Sequence, residues 1–349
     1  MASRIVGLDI GRDTVRAVEV ENADKARPTA VRFAEVPLPA DSVRSGEVRE
    51  VNTVAAAIKR LWSQGGFKTR NVVLGMGNQR VLARDLTVPR MGLKEIRESL
   101  PFQVQDMLPV PVNEALLDFY PISESVGEHG PVVNGLLIAA IKESVMANVN
   151  AVRQAGLTPV HVDLIPFALS RVLVRGPLAR GTVALIDIGA STTNVVIATA
   201  GVPQFVRMIP AGGEDLTRAL MNSLELSPQQ AEGLKRQRGL APATGASEQE
   251  RRAADVIRES THELLNSLRN TINYFANTRP NEPIQGIVIS GGGSRLGGLV
   301  QALGELTRTA VIPADPFAAV EISRALRRRG DFDENMMTVP LGLAIGSAA

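Results

Sequence analysis

Between Ile5 and Glu21 the chain alternates apolar and polar positions twice, interrupted once by Gly11-Arg12-Asp13. That pattern predicts two strands, Ile5–Asp9 and Val15–Glu21, joined as a hairpin, with Val31–Val36 able to pair alongside. Asn52–Gln64 changes to helical spacing through Val54, Ile58 and Leu61 and stops near Gly65-Gly66, and Val72–Met76 is again strand-like. From about Val81 to His161 a compact block reads strand (Val81–Val88), helix (Leu93–Met107), strand (Leu116–Ile122), strand (Val132–Ile141) and helix (Glu143–Ala155). Pro89, Pro109, Pro111 and Gly156 punctuate it, which marks an inserted subdomain.

The second half restarts at Thr182–Asp187 and repeats the opening pattern, with Thr193–Thr199 and Gln204–Ile209 as further strands. Leu216–Leu226 has helical spacing, and Ser227-Pro228 is a start signal for a second helix that Gly239 ends. Leu240–Ser247 reads as an exposed loop, and a long helix follows with Ala253, Ile257, Leu264, Leu268, Ile272 and Phe275 on one face. Ile284–Ser290 is a strand, Leu296–Leu306 a helix, and Val339–Ala349 is apolar and glycine-rich. The chain is therefore two related α/β halves, each with an insertion.

The repetition extends to particular residues. Positions 9–20 read DIGRDTVRAVEV and positions 187–198 read DIGASTTNVVIA. A strand ending in Asp, a turn through Gly and a returning strand gather backbone N–H groups around one point, a nest that attracts anions. Thr14 and Thr192 can add hydroxyl donors, and Arg16 a fixed positive charge. Asp9 and Asp187 would repel phosphate directly, so their useful role is to hold a divalent cation through its waters, an arrangement that suits Mg²⁺. A single such turn is equally an ordinary hairpin; two copies opening two similar halves carry more weight.

Three further stretches are candidates, each with a plain structural alternative. ISGGGSRLGGL (Ile289–Leu299) reads as strand, triple glycine and helix N-terminus, suited to a planar or anionic group against backbone, or simply as a tight turn. It is neither a P-loop nor a dinucleotide fingerprint. In AGGEDLTRAL (Ala211–Leu220), Gly212 and Gly213 precede a helix and can face phosphate. In AEGLK, Glu232 and Lys235 share a helix face, as a surface ion pair or as contacts to a ribose.

Composition narrows the class. The 349 residues are 44% hydrophobic, enough for more than one core, and carry a net charge of +2 with both signs interspersed. With only 3% aromatics as well, nucleic-acid binding is unsupported. Arg324, Arg327, Arg328 and Arg329, flanked by Asp331 and Asp333, read as a solvated helix end rather than a partner or lipid patch. The absence of cysteine removes disulfides and thiol chemistry and fits a reducing compartment. No signal peptide and no run of about 20 apolar residues is present, so direct membrane insertion is not expected.

The order of these elements resembles the actin/Hsp70/sugar-kinase ATPase superfamily. Within it, DLTVPRMGLKEIRESLPFQVQDMLPVPVNEALLDFYPI (Asp85–Ile122), DLIPFALSRVL (Asp163–Leu173) and GGEDLTRAL resemble the PilM family of type IV pilus assembly, an FtsA-like branch. The resemblance implies an actin-like ATPase fold of class α/β: two duplicated α/β domains around a nucleotide cleft, with an FtsA-type inserted subdomain. It divides the chain into 1–83 (subdomain 1A), 84–160 (inserted 1C), 161–180 (1A again), 181–212 (2A), 213–283 (helical 2B), 284–334 (2A again) and 335–349 (1A again). It implies ATP and Mg²⁺ as cofactors, with Gly11, Arg12, Asp13, Thr14, Arg16, Gly189, Ala190, Ser191, Thr192, Gly212 and Gly213 around the phosphates. Glu232, Lys235, Gly291, Gly292, Gly293 and Arg295 would meet ribose and adenine, and Asp9 and Asp187 the cation. The implied partner is the cytoplasmic N-terminal peptide of a PilN-type inner-membrane protein, in a groove beside the insert, with other pilus inner-membrane components and self-association. The implied location is the cytoplasm, at the inner face of the membrane through partners.

Arg12 and Asp13 stand where the family usually has small residues, and Arg16 where Lys is common, which changes phosphate geometry. Actin and Hsp70 carry a Gln or Glu before the second phosphate hairpin; here that stretch is apolar around Ile165-Pro166, and Asp163 is the only carboxylate near. Asp163 is thus a weak catalytic candidate, and the expectation is ATP binding with slow or absent hydrolysis. An FtsA-like filament protein and a small-molecule kinase are the alternatives. The terminal LGLAIGSAA, which is not an amphipathic membrane helix, speaks against the first, and the lack of an evident substrate-pocket base against the second.

Overall fold

The structure, a computed structural model, describes residues 3–242, 247–329 and 333–346. The first half opens with β1 (Arg4–Ile10), β2 (Thr14–Glu21) and β3 (Thr29–Pro37), an antiparallel meander. A short hairpin, β4 (Val43–Arg44) and β5 (Glu47–Val48), leads to α1 (Val51–Gly65) and then β6 (Asn71–Met76), parallel to β1. The insert comprises β7 (Val81–Pro89), α2 (Leu93–Gln103), β8 (Ala115–Gly127) and β9 (Gly130–Ile141). Its sheet has the order β7-β9-β8 and its own core of Val88, Ile96, Leu100, Val104, Phe119, Val133 and Leu137. The chain returns through α3 (Lys142–Gln154) and β10 (Thr158–Leu164), parallel to β6, and crosses over in α4 (Ile165–Leu173).

The second half repeats this path. β11 (Thr182–Ile188), β12 (Thr193–Thr199) and β13 (Val202–Ile209) form an antiparallel meander. Three helices follow, α5 (Gly213–Leu224), α6 (Pro228–Arg238) and α7 (Glu248–Thr278), before β14 (Ile284–Ser290) pairs parallel to β11. Then come α8 (Leu299–Thr307), β15 (Val311–Pro313), β16 (Glu321–Ile322), α9 (Arg324–Arg329) and α10 (Thr338–Ile345). The sheets run β10-β6-β1-β2-β3-β16 and β13-β12-β11-β14-β15, so the first five strands of one match the other in order and sense. Every residue of β11 is buried, which is why its sequence after Thr182 is an apolar run broken only by Asp187.

Helix starts follow the predicted chemistry. Ser227 Oγ accepts from the Gln230 N–H at 3.3 Å, and Gly239, at φ 54°, ends α6. One expectation is corrected. The helix expected over Leu296–Leu306 begins at Leu299: Gly292–Arg295 is a 3-10 turn, and Gly298 at φ 84° resets the chain before Leu299. The apolar tail is a helix, α10, buried from Thr338 to Ala344 and packed on the first half, with Gly7 against the Pro340 carbonyl and Gly342 against that of Ala168. The loop expected at Leu240–Ser247 falls partly on 243–246, and Asp331 and 347–349 likewise lie outside the described residues.

Candidate functional site

The two Asp-Ile-Gly hairpins have the same internal geometry. Gly11 N–H donates to the Thr14 carbonyl and Gly189 N–H to the Thr192 carbonyl, both at 3.0 Å. Asp9 stands opposite Arg16 in the first ladder and Asp187 opposite Asn194 in the second. Among the described residues, no backbone carbonyl accepts from the N–H groups of Arg12, Asp13, Ala190 or Ser191, which leaves donors at both turns.

Both hairpins open into one cleft of about 850 Å³, and every candidate residue except Asp163 lines it. Asp163 is a correction: its carboxylate is paired with Arg171 and accepts from the Leu164 N–H at 2.7 Å, so it holds β10 to α4 instead of facing the cleft. Gly212 and Gly213, which line the cleft, also brace its second hairpin. Gly213 N–H donates to the Gly189 carbonyl at 3.0 Å and Glu214 N–H to that of Ala190 at 2.8 Å, so the start of α5 braces the second hairpin. Gly212 must lack a side chain there, because a Cβ would sit 2.5 Å from the Gly189 carbonyl oxygen. Gly291, at φ 83°, and Gly293 similarly press on Ile188.

The charges are arranged around two buried carboxylates. Burial raises the Asp187 carboxyl to about 6, the Ser290 hydroxyl opposing the rise and the negative charge of Asp9 adding to it. Ser290 Oγ donates to Asp187 Oδ1 at 2.8 Å. Asp9 is raised as well, by burial, against the pull of Arg16, whose Nη1 lies 3.9 Å from its carboxylate. Arg16 also donates through Nε to Glu35 at 3.0 Å. Two desolvated carboxylates of this kind suit a divalent cation. Among the described residues no group of three or more His, Cys, Asp or Glu could enclose a metal, so such a cation would complete its shell with water and phosphate oxygens.

Arg12 reaches across the cleft to Glu214 in the first turn of α5, Nη1 to Oε1 at 2.5 Å, and lies 3.8 Å from Asp13. Burial pulls its guanidinium down, but the bond to Glu214 and the charges of Glu214 and Asp13 outweigh that and raise it. Burial raises the Asp13 carboxyl despite Arg12. Glu232 and Lys235 are bonded to each other at 2.5 Å. Lys235 Nζ also donates to the Gly213 carbonyl and to Thr217 Oγ1, both at 2.9 Å. Burial works against the Glu232 carboxylate, yet bonds from Lys235, Arg236 and Thr217 hold it below its ordinary range. Arg295 is paired with Asp333 and is lowered by burial and by Arg236 and Arg16.

Sequence reasoning missed Glu214, Thr217 and Asn194, all of which line the cleft. Asn194 is 4% exposed, and its Oδ1 has no hydrogen-bond partner. A signal for it existed, since it sits in the second hairpin where Arg16 sits in the first.

Two matched α/β halves, each presenting such a hairpin to a shared cleft, define the actin-like ATPase fold. The family model of the type IV pilus assembly protein PilM matches residues 7–348, and the chain belongs to that family. A chain of a PilM–PilN type IV pilus biogenesis complex is similar at 30% identity and a TM-score of 0.85, over 99% of this chain and 98% of that one. The cell division protein FtsA of Bacillus subtilis (strain 168) is 23% identical over 89% of this chain and 78% of its own length. MreB 5 of Spiroplasma citri bound to AMPPNP shares the fold, with a TM-score of 0.57 at 12% identity over 99% of this chain and 96% of that one.

Proposed function

We propose that the chain is an ATP-binding adaptor of the type IV pilus machinery that receives the cytoplasmic N-terminal peptide of a PilN-type inner-membrane protein. The observation that carries this is the likeness, along 99% of the chain, to a chain of a PilM–PilN complex. The peptide groove lies beside the 84–160 insert, and the protein works at the cytoplasmic face of the membrane through such partners. Further inner-membrane pilus components and other copies of the chain are additional partners of this reading. Among the described residues no helix is long and apolar enough to cross a membrane.

The nucleotide part rests on the paired hairpins. Their free N–H groups and Arg16 would hold the phosphates, while Asp9 and Asp187 hold the waters of a Mg²⁺ ion. Mg²⁺ would supply neutralisation of phosphate charge. Gly212 and Gly213 keep the second hairpin in place, and Glu232 and Lys235 stand ready for the ribose. Turnover is slow or absent, because Asp163 is committed to Arg171 and the wall joining the hairpins offers Gly75, Gly77, Ile165 and Asn194, none of them a base. Steady ATP turnover well above background that Asp187→Ala abolishes would contradict this.

The test of the adaptor reading is fluorescence anisotropy of a labelled PilN-type N-terminal peptide with the full chain. Saturable binding that survives Asp187→Ala but is lost when the β7–β9 insert (residues 81–141) is replaced by a short linker, leaving α3 and β10 in place, supports it. Peptide binding that survives the replacement while nucleotide binding is lost would reverse the two assignments.

A further inference from the structure

The cleft is lined by apolar residues as well as charged ones. Leu264, Leu296 and Leu299 line it together with the side-chain-free backbone of Gly291–Gly293, where a Cβ on Gly291 would lie 2.9 Å from Asp187 Oδ1. Apolar side chains beside open glycine backbone are surroundings that suit a heteroaromatic base. Thr261 stands on α7, about one turn before Leu264. It lines the cleft, and it also lines a neighbouring cavity bounded by Leu240, His262, Leu265 and Leu306.

Thr261 is 1% exposed, and its hydroxyl has no hydrogen-bond partner. Threonines inside helices ordinarily bond back to the carbonyl four residues earlier. Elsewhere in this chain they do: Thr271 Oγ1 donates to Ser267 at 2.7 Å, Thr278 to Tyr274 at 3.0 Å and Thr307 to Leu303 at 2.7 Å. Thr271 is on the same helix, so the helix does not prevent the bond. A buried hydroxyl without a partner is a cost to the folded chain. Valine would have the same shape without that cost.

We infer that Thr261 is a specificity-determining residue of the nucleotide site, its hydroxyl reserved for a hydrogen bond to the edge of the bound base. The inference rests on the proposal that the cleft takes a nucleotide. A site that leaves a buried polar group unpaired unless the right ligand arrives discriminates more sharply than an apolar pocket does. The hydroxyl can donate to a ring nitrogen or accept from an exocyclic amine.

The experiment compares Thr261→Val and Thr261→Ser with the unaltered full chain, titrated with Mg·ATP and with inorganic tripolyphosphate, which has no base. Thr261→Val should bind ATP about tenfold more weakly with unchanged affinity for tripolyphosphate, while its melting temperature without ligand is equal or higher. Thr261→Ser, which keeps the hydroxyl, should retain most of the ATP affinity. Unchanged ATP affinity in a folded Thr261→Val protein would overturn the inference and leave the nucleotide proposal standing. Failure of the unaltered chain to bind either compound would overturn both.

Discussion

Replacing Asp187 by Asn should stabilise the ligand-free protein and, at the same time, disable the site. Asp187 is 7% exposed, and its carboxyl is raised from 3.8 to about 6. A group whose folded-state value lies above its unfolded one favours the folded chain when protonated. The penalty for holding it ionised therefore grows as pH climbs from 3.8 and is complete above about 6. At full size it is about 3 kcal/mol. Asparagine has the same shape and no charge, and its Oδ1 can still accept from Ser290. Urea unfolding of Asp187→Asn should thus show a gain approaching about 3 kcal/mol near pH 8, shrinking toward zero near pH 4. The same variant should lose Mg·ATP binding. Equal gains at both pH values, or a loss of stability near pH 8, would refute the reasoning that burial of a charge dominates here.

Three other perturbations probe the remaining parts of the cleft. Gly212→Ala, whose Cβ would lie 2.5 Å from the Gly189 carbonyl oxygen, should destabilise the protein by about 1–3 kcal/mol in thermal or urea unfolding. Asp13→Ser removes a carboxylate whose side chain is 62% exposed, so calorimetry should find ATP affinity raised only about two- to fivefold. Glu214→Gln frees Arg12 from its cross-cleft partner at 2.5 Å; ATP should bind more tightly, and small-angle scattering should find the ligand-free molecule more open.

The hairpins were legible in the sequence because alternation with period two fixes which side chains share a face, and because the Asp-Ile-Gly phrase recurs at the same offset. The cross-cleft contact of Arg12 with Glu214 was not, since no periodicity records a pairing between residues so distant in the chain. Asn194 carries no charge and stands in an apolar strand, so its local sequence does not set it apart, though it occupies the register position of Arg16. α10 is not legible as a helix in the sequence because it is buried all round and so lacks an amphipathic stripe. α8 begins at Leu299 and not at Leu296 because Gly297-Gly298 resets the backbone after the 3-10 turn, and apolar spacing alone does not register that. Asp163 looked available because its partner, Arg171, lies two turns along α4, where an ion pair cannot be told from two solvated charges.

The most direct test of the central claim is to denature the purified full chain and identify by chromatography what its cleft releases. The account predicts intact ATP, either as purified or after incubation with Mg·ATP and removal of the excess, and no release from Asp187→Ala. A cleft that releases nothing even after that incubation would contradict it.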